Sequence, residues 1–262
     1  MKSANHHHLV DMFDPDRAKA MQATLGMVPN IVSGDVLPPF FHQAYFWDCQ
    51  TRSELGTDGH PKKGDFLPDL GLPRRMWAAG RIQFHRPLFA GSRAERHSRV
   101  DAVTRKSGRS GPLGFVTVRH DIKQRQALAV TEYQDIVYRE MTPQDEPAAP
   151  KAPNDETHAQ EIDFDSTMLF RYSALTFNGH RIHYDETYAR NVEGYDGLVV
   201  HGPLLAQMLM LFAQHHLGGL TEFQYRATAP LLHHETATLC WRNGTAWVKG
   251  PDQRQCMIAT AR

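Results

Sequence analysis

Cysteine is scarce in this chain: Cys49, Cys240 and Cys256 are three in number and far apart. An odd, scattered set supplies neither a disulfide framework nor a thiolate metal site, and a reducing cytoplasm is its natural setting. No sign of charge dominates. Lys plus Arg number 29 and Asp plus Glu number 29, without the basic excess that a nucleic-acid binder carries. Long apolar runs are also missing. The longest, 204–213, is interrupted by Gln207 and is too short to cross a bilayer. Residues 1–21 carry Asp11, Asp14 and Asp16 and no apolar stretch, so neither a secretory leader nor a transit peptide is expected. His6, His7 and His8 read as a solvated tract, because no acidic or Cys ligand stands at metal spacing around them. No metal and no cofactor are expected.

What is present is an ordinary globular balance, 41% apolar and 22% charged. Pro143, Pro147, Pro150 and Pro153 stand among small and acidic residues. Each fixes φ and removes a donor, so 142–162 reads as an extended linker. It separates a first unit, 1–141, from a second, 163–262. In the first unit, 14–25 is a helix with an Asp cap and Pro15 at its first position, and 40–54 is a second candidate helix. Strands follow from Met76, with GRSG at 108–111 as a hairpin turn. In the second unit, 163–174 carries a short strand and a helical turn. Strands close the chain, with Asn243–Gly244 as a hairpin signal. A faint repeat joins the halves: an aromatic, a Pro-Leu pair (Pro87-Leu88; Pro230-Leu231) and then a long strand.

The stretch 202–216 is apolar on nearly every face, and such a helix is buried all round. Gly202 and Pro203 open it, and Gly218-Gly219 end it. Its first turn leaves N–H groups unpaired at the positive end of the helix dipole, where a developing enolate oxygen can be held. Gly202 has no Cβ to obstruct a thioester carbonyl. A conventional buried core helix explains the same residues.

Just before that helix lies FNGHRIHYDETYARN. Asp185 caps a short helix, which places His183 on the connection leading into it. A histidine titrates near neutrality and can exchange a proton with water or carbon. Asn178 is no base, but its amide can orient a water. Hydration of a conjugated thioester needs a held water, a proton shuttle and donors for the carbonyl. Asn178, His183 and the Gly202 region are candidates for the three. On spacing alone, a structural histidine and asparagine explain the segment too.

SALTFNGHRIHYD, followed by His201-Gly202 at a buried helix, resembles the MaoC-like, R-specific enoyl-CoA hydratases, in the two-hotdog subgroup of hydroxyacyl-thioester dehydratases and short-chain enoyl-CoA hydratases. Asn178 stands where the family has Asp, and His180 where it has Asn. The resemblance implies an α+β double hotdog fold, two antiparallel sheets each wrapping a long helix. It implies a non-catalytic first hotdog that accommodates acyl chain or CoA, and a catalytic second one. Asn178 and His183 are then the catalytic pair and Gly202 the oxyanion donor. His180, Arg171, Arg181, His201 and Pro203 are candidate substrate-binding residues. With Asn in place of Asp, one histidine-like pKa is expected to govern the pH profile.

The activity so implied is reversible hydration of 2-enoyl thioesters, on a short or branched dicarboxylic enoyl-CoA of the mesaconyl-C4 or itaconyl type. The alternatives are a 3-hydroxyacyl-ACP/CoA dehydratase of fatty acid synthesis, a hotdog thioesterase and a non-catalytic acyl-CoA binder. Arg171 and Arg181 are open to two roles: meeting a substrate carboxylate, or pairing with Asp185 or Glu186. The arginines of the first unit, among them Arg74, Arg75, Arg96 and Arg109, are candidates for CoA phosphates, with a solvated strand face as the alternative. The partner is an acyl-CoA or acyl-ACP substrate, with no nucleic acid and no membrane, and a homo-oligomer, a dimer, is expected.

Overall fold

The computed structural model describes residues 6–108, 111–140 and 148–262. Ten strands form one antiparallel sheet: β1 (His6–Met12), β2 (Arg74–Phe84), β3 (Arg93–Gly108), β4 (Gly111–Gln124), β5 (Ala127–Arg139), β6 (His158–Asp163), β7 (Glu222–Ala227), β8 (Thr236–Arg242), β9 (Thr245–Lys249) and β10 (Gln255–Ala261). Four α-helices accompany them: α1 (Pro15–Thr24), α2 (Ser166–Leu175), α3 (Glu186–Asn191) and α4 (Gly202–Leu217).

Across the sheet the order is β1-β3-β4-β5-β2, then β7-β10-β9-β8-β6. Numbered within each half and read from the outer edge of the sheet inward, both blocks have the same order, first-third-fourth-fifth-second. The two sheets of a double hotdog are therefore present and fuse along β2 and β7, where Ala79 pairs with Arg226 and Gln83 with Glu222. The faint sequence repeat lies on this symmetry. Pro87-Leu88 connects β2 to β3, and Pro230-Leu231 connects β7 to β8. Leu37 N–H donates to Leu88 O, and Val200 N–H donates to Leu231 O. Bridges Val36–Phe89 and Val199–Leu232 flank those bonds. Phe13-Asp14 before α1 and Phe164-Asp165 before α2 match as well: each Phe is buried and each Asp caps its helix.

The halves differ in their central helix. In the second half, α4 runs for 16 residues and buries Leu204, Leu205, Met208, Leu209, Met210 and Ala213. Burying a Leu or Met side chain contributes about 1.5–3 kcal/mol, which makes α4 the anchor of that core. Gly218 at φ +75 closes it in the left-handed conformation that glycine tolerates. The first half has only a 3-10 turn, Phe41–Ala44. The helix expected over 40–54 is absent because Phe40 and Phe46 sit at φ +70 and +60, which no α-helix accommodates. Those turns drive Phe40, Phe41, Tyr45 and Phe46 all into the core.

Other expectations are also revised. α2 is a full helix of ten residues, capped by Asp165 accepting from Met168 N–H, where the sequence suggested a single helical turn. The end of the expected linker, from His158, is strand β6. Ahead of it, Ala152 N–H donates to Gln253 O and Gln255 N–H to Pro150 O, so this stretch is docked on the second half. Residues 142–147 of the expected linker, with Met141 before them, and Arg109-Ser110 of the GRSG turn lie outside the described residues; Gly108 and Gly111 on either side pair with each other. The histidine tract is not a solvated tail. His6–His8 belong to β1, and His8 pairs with His97 of β3. Glu95 completes an exposed group whose ligand atoms lie within 4.8 Å of one another, which strand pairing creates and linear spacing hides. Among the described residues no helix is long and apolar enough to cross a membrane.

Candidate active site

The site is assembled around the amino end of α4. Helix α2 ends at Thr176, after which Phe177 adopts φ +51. Asn178 N–H donates to Ser173 O at 2.8 Å and Phe177 N–H to Ala174 O at 3.3 Å. This is the two-bond closure in which a left-handed residue ends a helix, usually a glycine. Phe177 holds the position by stacking on Trp47, ring centroids 5.2 Å apart, while Trp47 Nε1–H donates to Leu175 O. The reversal delivers Asn178, whose Oδ1 accepts from His180 N–H at 3.0 Å. With its oxygen committed to the backbone, the amide nitrogen is the end that can meet a water.

A 3-10 turn, Arg181–His183, follows. Asp185 then caps α3 by accepting from Tyr188 N–H. The turn is tied to the strand-like segment before α4 by Val199 N–H donating to Ile182 O at 3.0 Å. His183 Nδ1–H donates to Val199 O at 2.7 Å. A carbonyl can only accept, so Nδ1 carries the hydrogen and Nε2 is the bare, basic edge of the neutral ring. His183 is 7% exposed. Burial, and next the neighbouring His180, lower its pKa to about 3, so at neutral pH it is a proton acceptor. The expected histidine-like pKa near neutrality therefore moves down, because burial penalises the imidazolium.

His183 stacks on His201, ring centroids 3.7 Å apart. His201 is the cap residue of α4, wholly buried, and hydrogen-bonded through Nε2 to Ser173 Oγ at 2.8 Å. Burial holds its pKa well below the ordinary value, so it too is neutral. Immediately after it, Gly202 and Pro203 are half-buried, whereas Leu204 to Met210 are buried. The first helical turn is thus the accessible part of an otherwise enclosed helix. A Cβ at Gly202 would meet only Trp77 O, at 3.5 Å. Pro203 has no N–H, which leaves Gly202 N–H and Leu204 N–H as the first-turn donors ahead of the Leu205–His201 bond.

Beyond His183 the row of rings continues. His180 lies 5.3 Å from it, edge to face, and His60 lies 4.2 Å from His180. Asp58 Oδ2 accepts from His60 Nδ1–H at 3.2 Å. His60 and Asp58 come from the first half, on a tight loop closed by Gly56 N–H donating to His60 O. Gly59 sits there at φ +86, and a Cβ on it would lie 1.9 Å from Gly179 O. Only paired glycines allow this approach, and Arg181 N–H secures it by donating to Asp58 O at 2.9 Å. Burial lowers the pKa of His60 and brings that of His180 to about 3. Asp58 and His60 were not anticipated as site residues, although T-D-G-H-P at 57–61 carries the turn chemistry of such a loop.

Asn178, His180, His183, His201, Gly202 and Pro203 thus gather at one place. Arg171 and Arg181 do not join them. Arg171 is exposed. Arg181 pairs with Asp185 at 2.7 Å, donates to Thr57 O and lies over the Tyr188 ring. Of the first-half arginines, Arg96 is half-buried, donating to Phe46 O, and Arg74 pairs with Glu193. Neither presents a free guanidinium to a phosphate. Arg109 lies outside the described residues. In the first half, the segment equivalent to the approach to α4 borders a cavity of about 290 Å³ lined by Pro39, Phe40, His42, Phe84 and Leu88, with Gln214 from α4.

Comparison with known proteins places the fold and the family. Over 258 residues the chain is 46% identical to the mesaconyl-C(4)-CoA hydratase of Chloroflexus aurantiacus, covering 93% of this chain and 90% of that protein. Its fold resembles a MaoC-like dehydratase from Phytophthora capsici, with TM-score 0.72, 12% identity and 99% and 96% of the two chains covered. It also resembles a Mycobacterium tuberculosis protein described as a double hotdog, with TM-score 0.61, 14% identity and 100% and 96% covered. The family description for hydroxyacyl-thioester dehydratase type 2 matches residues 40–233, a span that takes in both the Asp58–His60 loop and the His183–Gly202 centre, and the chain belongs to that family.

Proposed function

We propose that this protein reversibly hydrates 2-enoyl thioesters, with Asn178 and His183 as the catalytic pair and Gly202 as the oxyanion donor, and that its substrate is a short dicarboxylic enoyl-CoA of the mesaconyl-C4 type. The observation that carries the chemistry is the His183 hydrogen bond to Val199 O, which leaves Nε2 basic beside the open first turn of α4. The substrate class is supported by the likeness to the Chloroflexus enzyme across nearly the whole chain.

The thioester carbonyl accepts from Gly202 N–H, which draws electron density out of the conjugated double bond. The Asn178 amide orients one water, and its oxygen adds to Cβ while His183 Nε2 takes the proton. The electron pair of the double bond passes to the carbonyl oxygen as an enolate, held at the helix terminus. The imidazolium then returns its proton to Cα and the carbonyl re-forms. Dehydration is the same path reversed. Burial disfavours the imidazolium, so the charged ring is short-lived and the proton is handed on. In this reading the first half accommodates part of the acyl-CoA and contributes no second catalytic centre.

Incubation with mesaconyl-C4-CoA tests the proposal. The expected result is loss of the conjugated-thioester absorbance with no free thiol. Thiol release at the same rate would mark a thioesterase, and binding without turnover a non-catalytic protein.

A further inference from the structure

We propose that the free carboxylate of a dicarboxylic enoyl thioester is held by His180 and His60, with Asp58 as the residue that positions His60. The proposal rests on the hydratase reading above and names the part of the site that chooses the substrate.

The two arginines nearest the reactive segment in sequence do not serve. Arg171 is exposed, and Arg181 is committed to Asp185, Thr57 O and the Tyr188 ring. What faces the reacting centre instead is an ordered series of contacts. The ring of His201, next to Gly202 in the chain, lies 3.7 Å from that of His183, His183 lies 5.3 Å from His180, His180 lies 4.2 Å from His60, and His60 Nδ1 is 3.2 Å from Asp58. A mesaconyl-C4 thioester carries its groups in the same sequence: thioester carbonyl, Cα, Cβ, then a carboxylate attached directly to Cβ. With the carbonyl on Gly202 N–H and Cβ beside His183, the carboxylate falls next in the row, at His180 and His60.

The chemistry of that end suits an anion. Asp58 can only accept, so it fixes the hydrogen on His60 Nδ1 and turns Nε2 toward the ligand. Burial keeps the ring from charging in the free protein, and a carboxylate arriving at Nε2, with Asp58 on the opposite edge, favours uptake of one proton from solvent at that nitrogen as it binds. Arg75 lies close enough to impose positive potential on both His60 and His180. The other charged or titratable neighbours of these two rings are Glu193, His183 and His201. A carboxylate between two imidazole edges in a half-buried setting is held by charge-assisted hydrogen bonds, about twice the strength of neutral ones. An enoyl thioester with a plain alkyl end would leave the same polar edges unpaired, which is how a polar pocket rejects an apolar analogue. The loop that brings His60 is fixed by the Gly59–Gly179 contact and the Arg181–Asp58 backbone bond, so the two rings are in place before the substrate arrives.

The test compares kcat/KM on mesaconyl-C4-CoA and crotonyl-CoA, which has no second carboxylate, in wild-type protein and His60→Gln. The wild type should prefer the dicarboxylic substrate. In His60→Gln the mesaconyl-to-crotonyl ratio should fall by roughly 20-fold or more, chiefly through KM, as loss of a charge-assisted contact made in ground and transition state alike requires. Asp58→Asn should move the ratio the same way by less, and serves if His60→Gln does not fold. A readout without turnover is the Kd of succinyl-CoA against butyryl-CoA: the wild type should favour succinyl-CoA, and His60→Gln should not. A wild type that prefers mesaconyl-C4-CoA, paired with a folded His60→Gln that keeps the preference, would overturn this assignment alone. A wild type indifferent to the carboxylate would overturn it together with the substrate class. Loss of wild-type activity on chelation, restored by Zn²⁺, would also overturn it, because Asp58, His60 and His180 would then be occupied by a cation.

Discussion

The two halves share a strand order and diverge at one short stretch. Where the second half has Val199-Val200-His201-Gly202-Pro203, the equivalent bridge and backbone bond in the first half place Val36-Leu37-Pro38-Pro39-Phe40. Pro39, standing for Gly202, has no N–H to offer a carbonyl. Pro38, standing for His201, has no aromatic ring to stack on a histidine. The helix that should follow shrinks to the turn Phe41–Ala44. In place of the stacked imidazoles the first half buries a histidine–carboxylate contact: His42 Nε2 lies 2.9 Å from Glu132 Oε2, with Gln43 donating to the same carboxylate. The sheet therefore supplies a frame common to both halves, and in the proposed chemistry a handful of residues at one helix start set the halves apart. The first half enters that proposal through the loop it extends to His180.

The sharpest way to break this contrast is His183→Ala. It should lower kcat by about 10³-fold or more while leaving the circular dichroism unchanged, the loss typical of a removed general base. Near-wild-type turnover would remove the distinction between the halves. Next in size is Gly59→Ala, which sets a Cβ against Gly179 O at a positive φ. It should destabilise by about 1–3 kcal/mol and cost activity on dicarboxylic substrate. An unchanged Tm would mean that the loop is not pinned to the second half.

Acid should also tell the halves' chemistry apart. His180 and His183 are held near pKa 3 and His120 near 4 by burial, against about 6.5 when unfolded. The unfolded chain binds protons that the folded one refuses, so stability is full above about pH 6.5 and falls progressively toward pH 4. Tm should drop steadily across that window, and His183→Ala should flatten the slope. A Tm constant from pH 7 to 5 would contradict the neutral, buried row. The smallest effect is expected from Asn178→Asp. A carboxylate can accept the same His180 N–H bond, so about a tenth or more of kcat should remain if the side chain only orients water. Complete loss would assign Asn178 another task.

The sequence made the proposed centre legible because its parts are local. FNGHRIHYD packs a helix stop, an Asx turn and the proposed base into one stretch, and His201-Gly202-Pro203 announces a helix start. Alternation and turn residues likewise gave the strands and the repeat. Asp58 and His60 were not legible: they stand far from His180 in the chain and meet it only because two glycines let two backbones touch. The supposed helix over 40–54 misled for a related reason. Its apolar spacing is real, but Phe40 and Phe46 bury their rings by taking left-handed turns that no local pattern declares. Likewise the role of Arg181 depended on which carboxylate the fold set beside it, and that was Asp185.

The account stands on the protonation of a single ring. Nitrogen-15 NMR of histidine-labelled protein at pH 7 reads it directly. His183 should show a hydrogen on Nδ1 and none on Nε2, as its bond to Val199 O dictates. A signal from the Nε2–H tautomer, or from the imidazolium, would contradict the proposed base and the hydration chemistry built on it.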